Sequence, residues 1–481
     1  MQRKHFYATQ LMKLSFQALM YFLLFLSFFG MLSITNAAIL NPSRTAATTM
    51  ATFFCTMVLL TAVYGGYQIE LKKKRSVFAS LSLSTFFSDV ITYIILQIMN
   101  TNPKNPEANA TFVLWGEDLA LTAGAFVLQV MIIFLFVSLG YYCYFHINPP
   151  QDCCIITSSE ELARHVAAKM ATHGRKYKLT DVVHYECPDV RKTILEHDAV
   201  FLAGIPDTEE AVLEAYCYKH NKAIYLLAEL EDVIISTAQQ NILDDTAFLY
   251  IHRMQPTLFQ LFCKRACDIL VSLTGLVVLS PVMLVTAIVL KASGNGSVVF
   301  RQKRATLNGT VFEIIKFRTM YEDAANVSAR KDDDRVTPVG RFLRKYRIDE
   351  LPQLLNVLRG EMSLVGPRPE MLENVTRYTR EVPEFRYRQQ MKAGLTGLAQ
   401  IEGKYNTSPK DKAILDLMYI ENFSLAYDFK LLLRTLTVFF RRDSTEGFTQ
   451  TQVSCPRMRV EPITHATRPQ PREQTPMSAA L

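Results

Sequence analysis

The 481-residue chain has no CxxC pair and no grouping of cysteine with histidine, so its nine scattered cysteines offer neither a structural zinc site nor a disulfide scaffold. Cys263 and Cys267 stand one helical turn apart, a spacing that reads as packing on a common face. A GxGxxG turn is also missing. Where the first strand-like run of the middle region ends, the sequence is ITSSEELARH, which gives a dinucleotide pyrophosphate no glycine cradle. A DxD-type metal motif is absent except around Asp332, Asp333 and Asp334, and that run reads as a solvated loop leading into VTPVG. Neither sign of charge dominates, with 52 basic residues against 45 acidic ones. The net charge of +7 fits anionic lipid heads or phosphorylated substrates as well as it fits nucleic acid, so it decides little, and the expectation of no nucleic-acid partner does not rest on it.

What the chain has is apolar length. Hydrophobic residues make up 49% and mean hydropathy is +0.10, high for a wholly soluble protein. Four apolar runs, at about residues 14–34, 46–67, 78–99 and 119–145, each reach the roughly 20 residues that a helix needs to cross the hydrocarbon core. The first exceeds a signal-peptide core and three more follow, so it reads as an anchor. Arg3, Lys4 and Lys13 lie at the N-terminus, and Lys72, Lys73, Lys74 and Arg75 separate the second run from the third. The other two loops hold only isolated positive charges, so by the positive-inside tendency both ends of this four-span bundle face the cytoplasm. Those external loops contain no cysteine, which agrees. The triplet Asn109-Ala110-Thr111 in one of them is a glycosylation pattern that chance often produces.

From about Gln151 short apolar runs (DCCIIT, AVFLAG, KAIYLLA and TAFLYIH) alternate with helical stretches such as SEELARHVAAKMA. This is the pattern of a small α/β domain with a parallel sheet over 151–255, and it reads as a structural or regulatory module. Residues 266–290 are again long enough to span, yet both ends are basic: Lys264 and Arg265 before, Lys291, Arg301, Lys303 and Arg304 after. Positive charge at both ends argues that both lie on the cytoplasmic side. Pro281 breaks a helix and Ser280 can satisfy freed backbone groups, so the sequence predicts a re-entrant helix–break–helix hairpin; a Pro-kinked fifth span is the alternative. LLLRTLTVFFRR (431–442) is apolar but too short to span, and suits an interfacial helix or a buried core helix. Residues 444–481 are polar, contain several prolines and read as disordered.

The densest chemistry lies between Phe300 and Gln400. VFEIIKFRTM puts Lys316 and Arg318 at alternate positions, on one face of a strand. RKYRIDELPQLLNVLRG sets Arg344, Lys345 and Arg347 before the adjacent carboxylates Asp349 and Glu350. Arg368 stands between Pro367 and Pro369, whose fixed φ angles stiffen its loop. Guanidinium groups pair bidentately with phosphate oxygens, so fixed cations around two carboxylates describe a site for a diphosphate. A carboxylate there can hold Mg²⁺, act as a base or attack phosphorus. A plainer reading is also open. Leu351, Leu354, Leu355 and Leu358 follow helical spacing, so a helix starts near Asp349, which would cap it, with Pro352 tolerated in the first turn. Orphan amides and nearby cations would hold such an Asp349 ionised, so capping and catalysis are compatible.

The motifs KRACDILVSLTGLVVLSPVML, VVFRQKR, IIKFRTM, DDRVTPVGRFLRKYRIDELPQLLNVLRGEMSLVGPRP, AGLTGLAQIEGK and LDLMYIENFSLAYDFKLLLRT follow one another from Lys264 to about Asp443. In that order they resemble the bacterial sugar transferase family, the monotopic polyprenyl-phosphate glycosyl-1-phosphate transferases. The whole chain resembles the long form of the family, as in undecaprenyl-phosphate galactose and glucose phosphotransferases. That form comprises an α-helical four-span bundle (1–150), a Rossmann-like α/β domain (151–255) and a mostly α catalytic domain with a re-entrant membrane hairpin (256–443). The resemblance implies that a UDP-sugar gives sugar-1-phosphate to a polyprenyl phosphate at the cytoplasmic face of the bacterial inner membrane. UMP is released, and the reaction is the first membrane step of exopolysaccharide, O-antigen or capsule assembly.

It further implies that Asp349 is the nucleophile, forming a phospho-aspartate, with Mg²⁺ at Asp349 and Glu350. Glu350 would assist by placing the metal or by accepting a proton. Arg344 and Arg368 match phosphate-contacting positions of the family, with Lys316 and Arg318 as neighbours, and Ser280 and Pro281 match its hairpin break. Two rival readings are a conventional glycosyltransferase that releases UDP and a non-catalytic membrane scaffold or sensor. The sequence does not specify the sugar. A homodimer is compatible with so large a membrane assembly, and no residue pattern specifies one.

Overall fold

The computed structural model describes residues 2–35, 40–100, 116–294, 296–321, 333–403, 407–438 and 455–460. Two compact units emerge, one built on Met1–Ile147 with Ala228–Thr449, the other on Asn148–Leu227 with Gln450–Leu481. The triplet at Asn109 lies outside the described residues, as does Asp332.

The first unit opens with four long helices: α1 (Gln2–Leu32), α2 (Arg44–Tyr64), α3 (Lys74–Asn100) and α4 (Glu117–Ile147). Met20, Leu24 and Phe28 recur every four residues along α1 and meet Phe53 and Met57 of α2, Leu81 and Leu96 of α3, and Ile133 of α4 in one buried cluster. The opposite faces are apolar too, with Phe22, Leu26, Val58 and Phe134 exposed, and a helix apolar all round is suited to lipid. Gln129 Nε2 donates to Asp89 Oδ1 and to the Leu24 carbonyl, both at 3.2 Å, which ties α4 to α3 and α1.

The second unit alternates β1 (Gln151–Thr157), α5 (Glu160–Ala171), β2 (Tyr177–His184), α6 (Val190–Glu196), β3 (Ala199–Ala203), α7 (Asp207–Lys219) and β4 (Ala223–Leu226). The strands are parallel in the order β2-β1-β3-β4, and the central Cys153–Ile156 stretch of β1 is buried, as a strand covered on both faces requires. Within the tail expected to be disordered, residues 455–460 pair with the free edge of β2. Arg459 N donates to the Val182 carbonyl at 2.9 Å, its carbonyl accepts from His184 N at 3.2 Å, and its guanidinium meets Asp181 at 2.7 Å. Cys455 and Met458 rest against the sheet's apolar core, so six residues gain enough contact to be ordered.

The first unit resumes with α8 (Leu230–Ser236), β5 (Gln239–Leu243) and β6 (Thr246–Tyr250). TAFLYIH was expected to be a further strand of the parallel sheet. It pairs instead antiparallel with β5 through a turn at Asp244 and Asp245, the first of which adopts φ 59°, a conformation that Asp tolerates.

The long helix α9 (Leu258–Ala292) follows, with Pro281 inside it. The helix–break–helix expected at Ser280 and Pro281 takes the form of one helix that keeps helical backbone through the proline. Proline lacks the N–H that would serve the carbonyl four residues back, and Ser280 Oγ donates to that carbonyl, Val277 O, at 2.8 Å. With α9, five helices among the described residues are long and apolar enough to cross a membrane, so the protein is a membrane protein of mixed α/β content.

The remaining elements are β7 (Val299–Ala305), β8 (Val311–Phe317), α10 (Pro338–Lys345), α11 (Gln353–Arg359), β9 (Ser363–Val365), α12 (Leu372–Glu381), β10 (Gly394–Thr396), α13 (Leu398–Glu402), α14 (Pro409–Glu421) and α15 (Leu425–Val438). Their core joins Ile314, Val357, Leu364, Val365, Tyr419 and Leu431. Leu431 is fully buried in it, so the described part of α15 serves as a core helix.

Candidate active site

β7 and β8 form an antiparallel hairpin whose second strand carries Lys316 near its end. Asn356, wholly buried on α11, stitches that helix to β8: its Nδ2 donates to the Glu313 carbonyl at 2.7 Å and its Oδ1 accepts from Ile315 N at 3.0 Å. Thr337 caps α10 by accepting from Gly340 N at 2.9 Å. A Cβ on Gly340 would stand 2.1 Å from the Thr319 carbonyl, so only glycine lets α10 lie against the end of the β8 segment. One turn further along α10, Arg344 Nε donates to Thr319 Oγ1 at 2.8 Å.

After α10 the chain reverses at Arg347, which has φ 53°, a left-handed conformation that costs a non-glycine residue about 1 kcal/mol or more. A short 3₁₀ turn, Ile348–Glu350, then presents the two carboxylates, and α11 starts only at Gln353. The helix start expected at Asp349 is therefore displaced, and Asp349 caps nothing. Pro352 takes the position before the first turn, where its missing N–H is harmless.

The two carboxylates differ sharply in their surroundings. Glu350 Oε1 accepts from Arg368 Nη2 at 2.8 Å and from Lys316 Nζ at 3.2 Å, and Oε2 lies 3.6 Å from Arg347 Nη1. Burial pushes the Glu350 carboxyl up, but Arg368, Lys316 and Arg347 together outweigh it and hold it well below the usual range. Burial also lowers the Lys316 ammonium, with Glu350 opposing. Asp349 is 9% exposed, and among the described residues no hydrogen bond or ion pair engages its carboxylate. Burial first and the Glu350 charge second raise its carboxyl above the ordinary aspartate value, against Lys316, Arg344 and Arg368. The expectation that cations hold Asp349 ionised thus applies instead to Glu350, because the cations sit on the glutamate.

The structure joins Lys316, Glu350 and Arg368 directly and leaves Arg344 one step removed. Arg318, just past β8, donates to Ser297 Oγ at 2.7 Å. Asp333 is clamped by Arg335 at 2.8 and 2.6 Å with its side chain only 6% exposed, so the solvated loop read from the acidic run does not hold at this residue, where the ion pair draws the carboxylate inward. Ser280 and Pro281 lie on α9, away from the charged cluster in sequence and role. Arg347 was read from sequence only as one of the cations before the carboxylates, with no role of its own, and Asn356 was not singled out. Arg347 carried no signal beyond its place in a basic run, whereas a lone Asn within an apolar helical stretch was a visible one.

Mg²⁺ usually keeps several waters and binds one or two carboxylates together with substrate phosphates. The open Asp349 carboxylate fits that pattern, while the Glu350 oxygens face cations. No group of three metal-ligating side chains occurs among the described residues, so a metal here would depend on the phosphates of a bound substrate for its other ligands.

The family described as bacterial sugar transferase matches residues 259–442, the stretch that contains every element of this site. A UDP-glucose:undecaprenyl-phosphate glucose-1-phosphate transferase of Caulobacter vibrioides is 42% identical over 189 residues, covering 38% of this chain and 71% of the relative. A UDP-N-acetylgalactosamine-undecaprenyl-phosphate N-acetylgalactosaminephosphotransferase of Aeromonas hydrophila is 41% identical over 187 residues, covering 38% of this chain and 44% of that protein. An exopolysaccharide production protein of Sinorhizobium fredii is 39% identical over 191 residues, 36% of this chain and 83% of its own length. The matched stretch, the intact cluster around Asp349 and Glu350, and the coverage of the shorter relatives lead to one assignment: the chain belongs to the bacterial sugar transferase family.

Proposed function

We propose that the protein transfers sugar-1-phosphate from a UDP-sugar to undecaprenyl phosphate and releases UMP, initiating the assembly of an exopolysaccharide or related glycan. The observation that carries this reading is the asymmetry of the carboxylate pair: Asp349 is buried and unpaired among the described residues, while Glu350 beside it gathers Arg368, Lys316 and Arg347. An unpaired carboxylate oxygen of Asp349 attacks the β-phosphorus of the donor. The bond from that phosphorus to the bridging oxygen breaks, and UMP departs with the electron pair. The lipid phosphate then attacks the same phosphorus, the bond to Asp349 breaks, and the carboxylate is restored as a lipid-linked diphosphate sugar leaves. Arg368 and Lys316, held in place by Glu350, stabilise charge on the transferring phosphoryl oxygens. A divalent metal, when bound, neutralises charge on the diphosphate.

We also propose that α9 enters and leaves the cytoplasmic face of the bacterial inner membrane, bending at Pro281. Two observations support this. Both ends of α9 are basic, and its buried positions fall at Lys264, Asp268 and Ser272, then at Thr286 and Leu290, with the intervening middle exposed. Such a seat would hold the site at the level of lipid phosphates. The four N-terminal helices would span the same membrane with both ends cytoplasmic, and the Rossmann-like second unit would act as a regulatory module.

The test is to mix purified protein with Mg²⁺, undecaprenyl phosphate and a panel of UDP-sugars, measuring UMP and UDP separately, with Asp349→Asn alongside. Lipid-dependent UMP from one donor, reduced about 10³-fold or more in the variant, is expected. UDP release would replace this reading with a conventional glycosyl transfer. Silence across the panel would favour a scaffold.

A further inference from the structure

Arg368 keeps 42% of its side chain exposed, so its own packing does not fix where its guanidinium points. Glu350 holds the guanidinium at its tip, and the rest of its aim comes from the main chain that carries it, which two buried ion pairs grip. On one side, Lys264 Nζ of α9 donates to the Val365 carbonyl at 2.9 Å and pairs with Asp428 of α15 at 2.5 Å. Tyr419 OH of α14 sits 2.8 Å from Asp428 Oδ1 and 3.3 Å from the same Val365 carbonyl. On the other side, Arg388 Nη2 donates to the carbonyl of Arg368 itself at 2.7 Å and lies 2.8 Å from Asp416 Oδ2 of α14. The Arg388 and Asp416 side chains are only 5% and 1% exposed.

Just before the first grip, Asp268 of α9 accepts from Ser363 Oγ at 3.1 Å and Leu364 N at 3.0 Å. Gly366 packs back to back with Gly394, where a Cβ on Gly394 would stand 2.0 Å from Gly366 N. Apolar pairs of similar volume would pack these positions at least as stably, because desolvating two charges offsets most of their attraction. What an apolar pair cannot do is deliver an N–H to one specified carbonyl.

We propose that Lys264 and Arg388 are positioning residues that set the aim of Arg368 on Glu350 and on the donor phosphate. The proposal rests on the transfer reaction proposed above. Because Lys264 and Asp268 belong to α9, the helix that sits in lipid also sets the register of the catalytic loop. Membrane seating and active-site geometry are thereby one mechanical unit.

The experiment uses the full chain in nanodiscs, with undecaprenyl phosphate and the UDP-sugar that wild type turns over. Arg388→Lys retains a cation for Asp416 and loses the fork, and Tyr419→Phe removes one hydroxyl; each is made alone and together with Arg368→Lys. Arg388→Lys is expected to lower kcat by about ten- to a hundredfold, with KM for the donor little changed. In the Arg368→Lys background the same change should have almost no further effect, because the group it aims is already gone. Tyr419→Phe should act in the same sense with smaller size. Hydrogen exchange at the Leu364 and Gly366 amides, read without turnover, should rise in Arg388→Lys while the rest of the domain stays protected. An unchanged kcat, or an equal loss in both backgrounds, would overturn the proposal. If wild type releases no UMP, the reaction fails as a reading, and the exchange comparison still decides whether Arg388 holds the loop.

Discussion

Replacing Glu350 by glutamine keeps the side chain's size and removes the one charge that Arg368, Lys316 and Arg347 share. Removing one partner of a buried pair costs about 3–5 kcal/mol. Arg368 and Arg347 keep 42% and 27% of their side chains exposed, so water takes up part of that loss and about 2–3 kcal/mol is expected. The variant should also change the pH profile. Asp349 is raised by burial and then by the Glu350 charge, so glutamine deletes the second cause and leaves Lys316, Arg344 and Arg368 acting on Asp349 alone. Its carboxyl moves down, and the acid limb of UMP release moves to lower pH, each unit corresponding to about 1.4 kcal/mol.

The maximum rate falls at the same time, because Arg368 loses its partner. The sign for stability is opposite in origin. Glu350 is held well below the usual carboxylate range, so its contribution is present above about pH 4.3 and is lost as pH falls through its folded value. The glutamine variant should therefore be less stable at neutral pH and less sensitive to acid. Rate profiles and thermal unfolding in the same lipid preparation read both effects. An acid limb that stays in place or moves upward would refute the account of Asp349, and unchanged stability would refute the account of Glu350.

Asn356→Ala leaves the Glu313 carbonyl and the Ile315 amide without their partner, and should cost about 2–4 kcal/mol in unfolding while lowering turnover through Lys316. Gly340→Ala drives a methyl group to within 2.1 Å of the Thr319 carbonyl, so α10 must shift, and a rate loss of about tenfold or more is expected in the UMP assay. Chelating divalent metal should stop UMP release, with recovery on adding Mg²⁺. The melting curve of the substrate-free protein should not move, since the carboxylate pair of the site offers one open aspartate and one glutamate already held by cations.

The parts of the site legible in sequence were those written locally. IIKFRTM, RIDELPQLL and GPRP pointed to cations gathered around a carboxylate pair, and Lys316, Glu350 and Arg368 do converge across separations of 34 and 18 residues. The division of labour between Asp349 and Glu350 was not legible, because it depends on which carboxylate the cations reach in space. Lys264 meets Val365 and Asp428 across 101 and 164 residues, and no local spacing encodes such pairings. TAFLYIH had the composition of a parallel strand, and only the turn at Asp244 and Asp245 decided its partner. Pro281 was a visible helix breaker, but the effect of Ser280 on the outcome depended on a side-chain rotamer. The described residues at 455–460 sit in a polar tail that composition alone assigns to disorder.

The hydrogen bond from Ser280 to Val277 has a consequence for how α9 can change over generations. If α9 is seated in lipid as proposed, a bare carbonyl there finds no water, so Ser280→Ala alone strands Val277 O beside a proline that cannot serve it. Pro281→Ala restores the amide, after which Ser280 is free to vary. The two substitutions are therefore ordered: one route to the double variant passes through a sound intermediate and the other through a damaged one. These neighbouring positions form an epistatic pair with a preferred direction of escape.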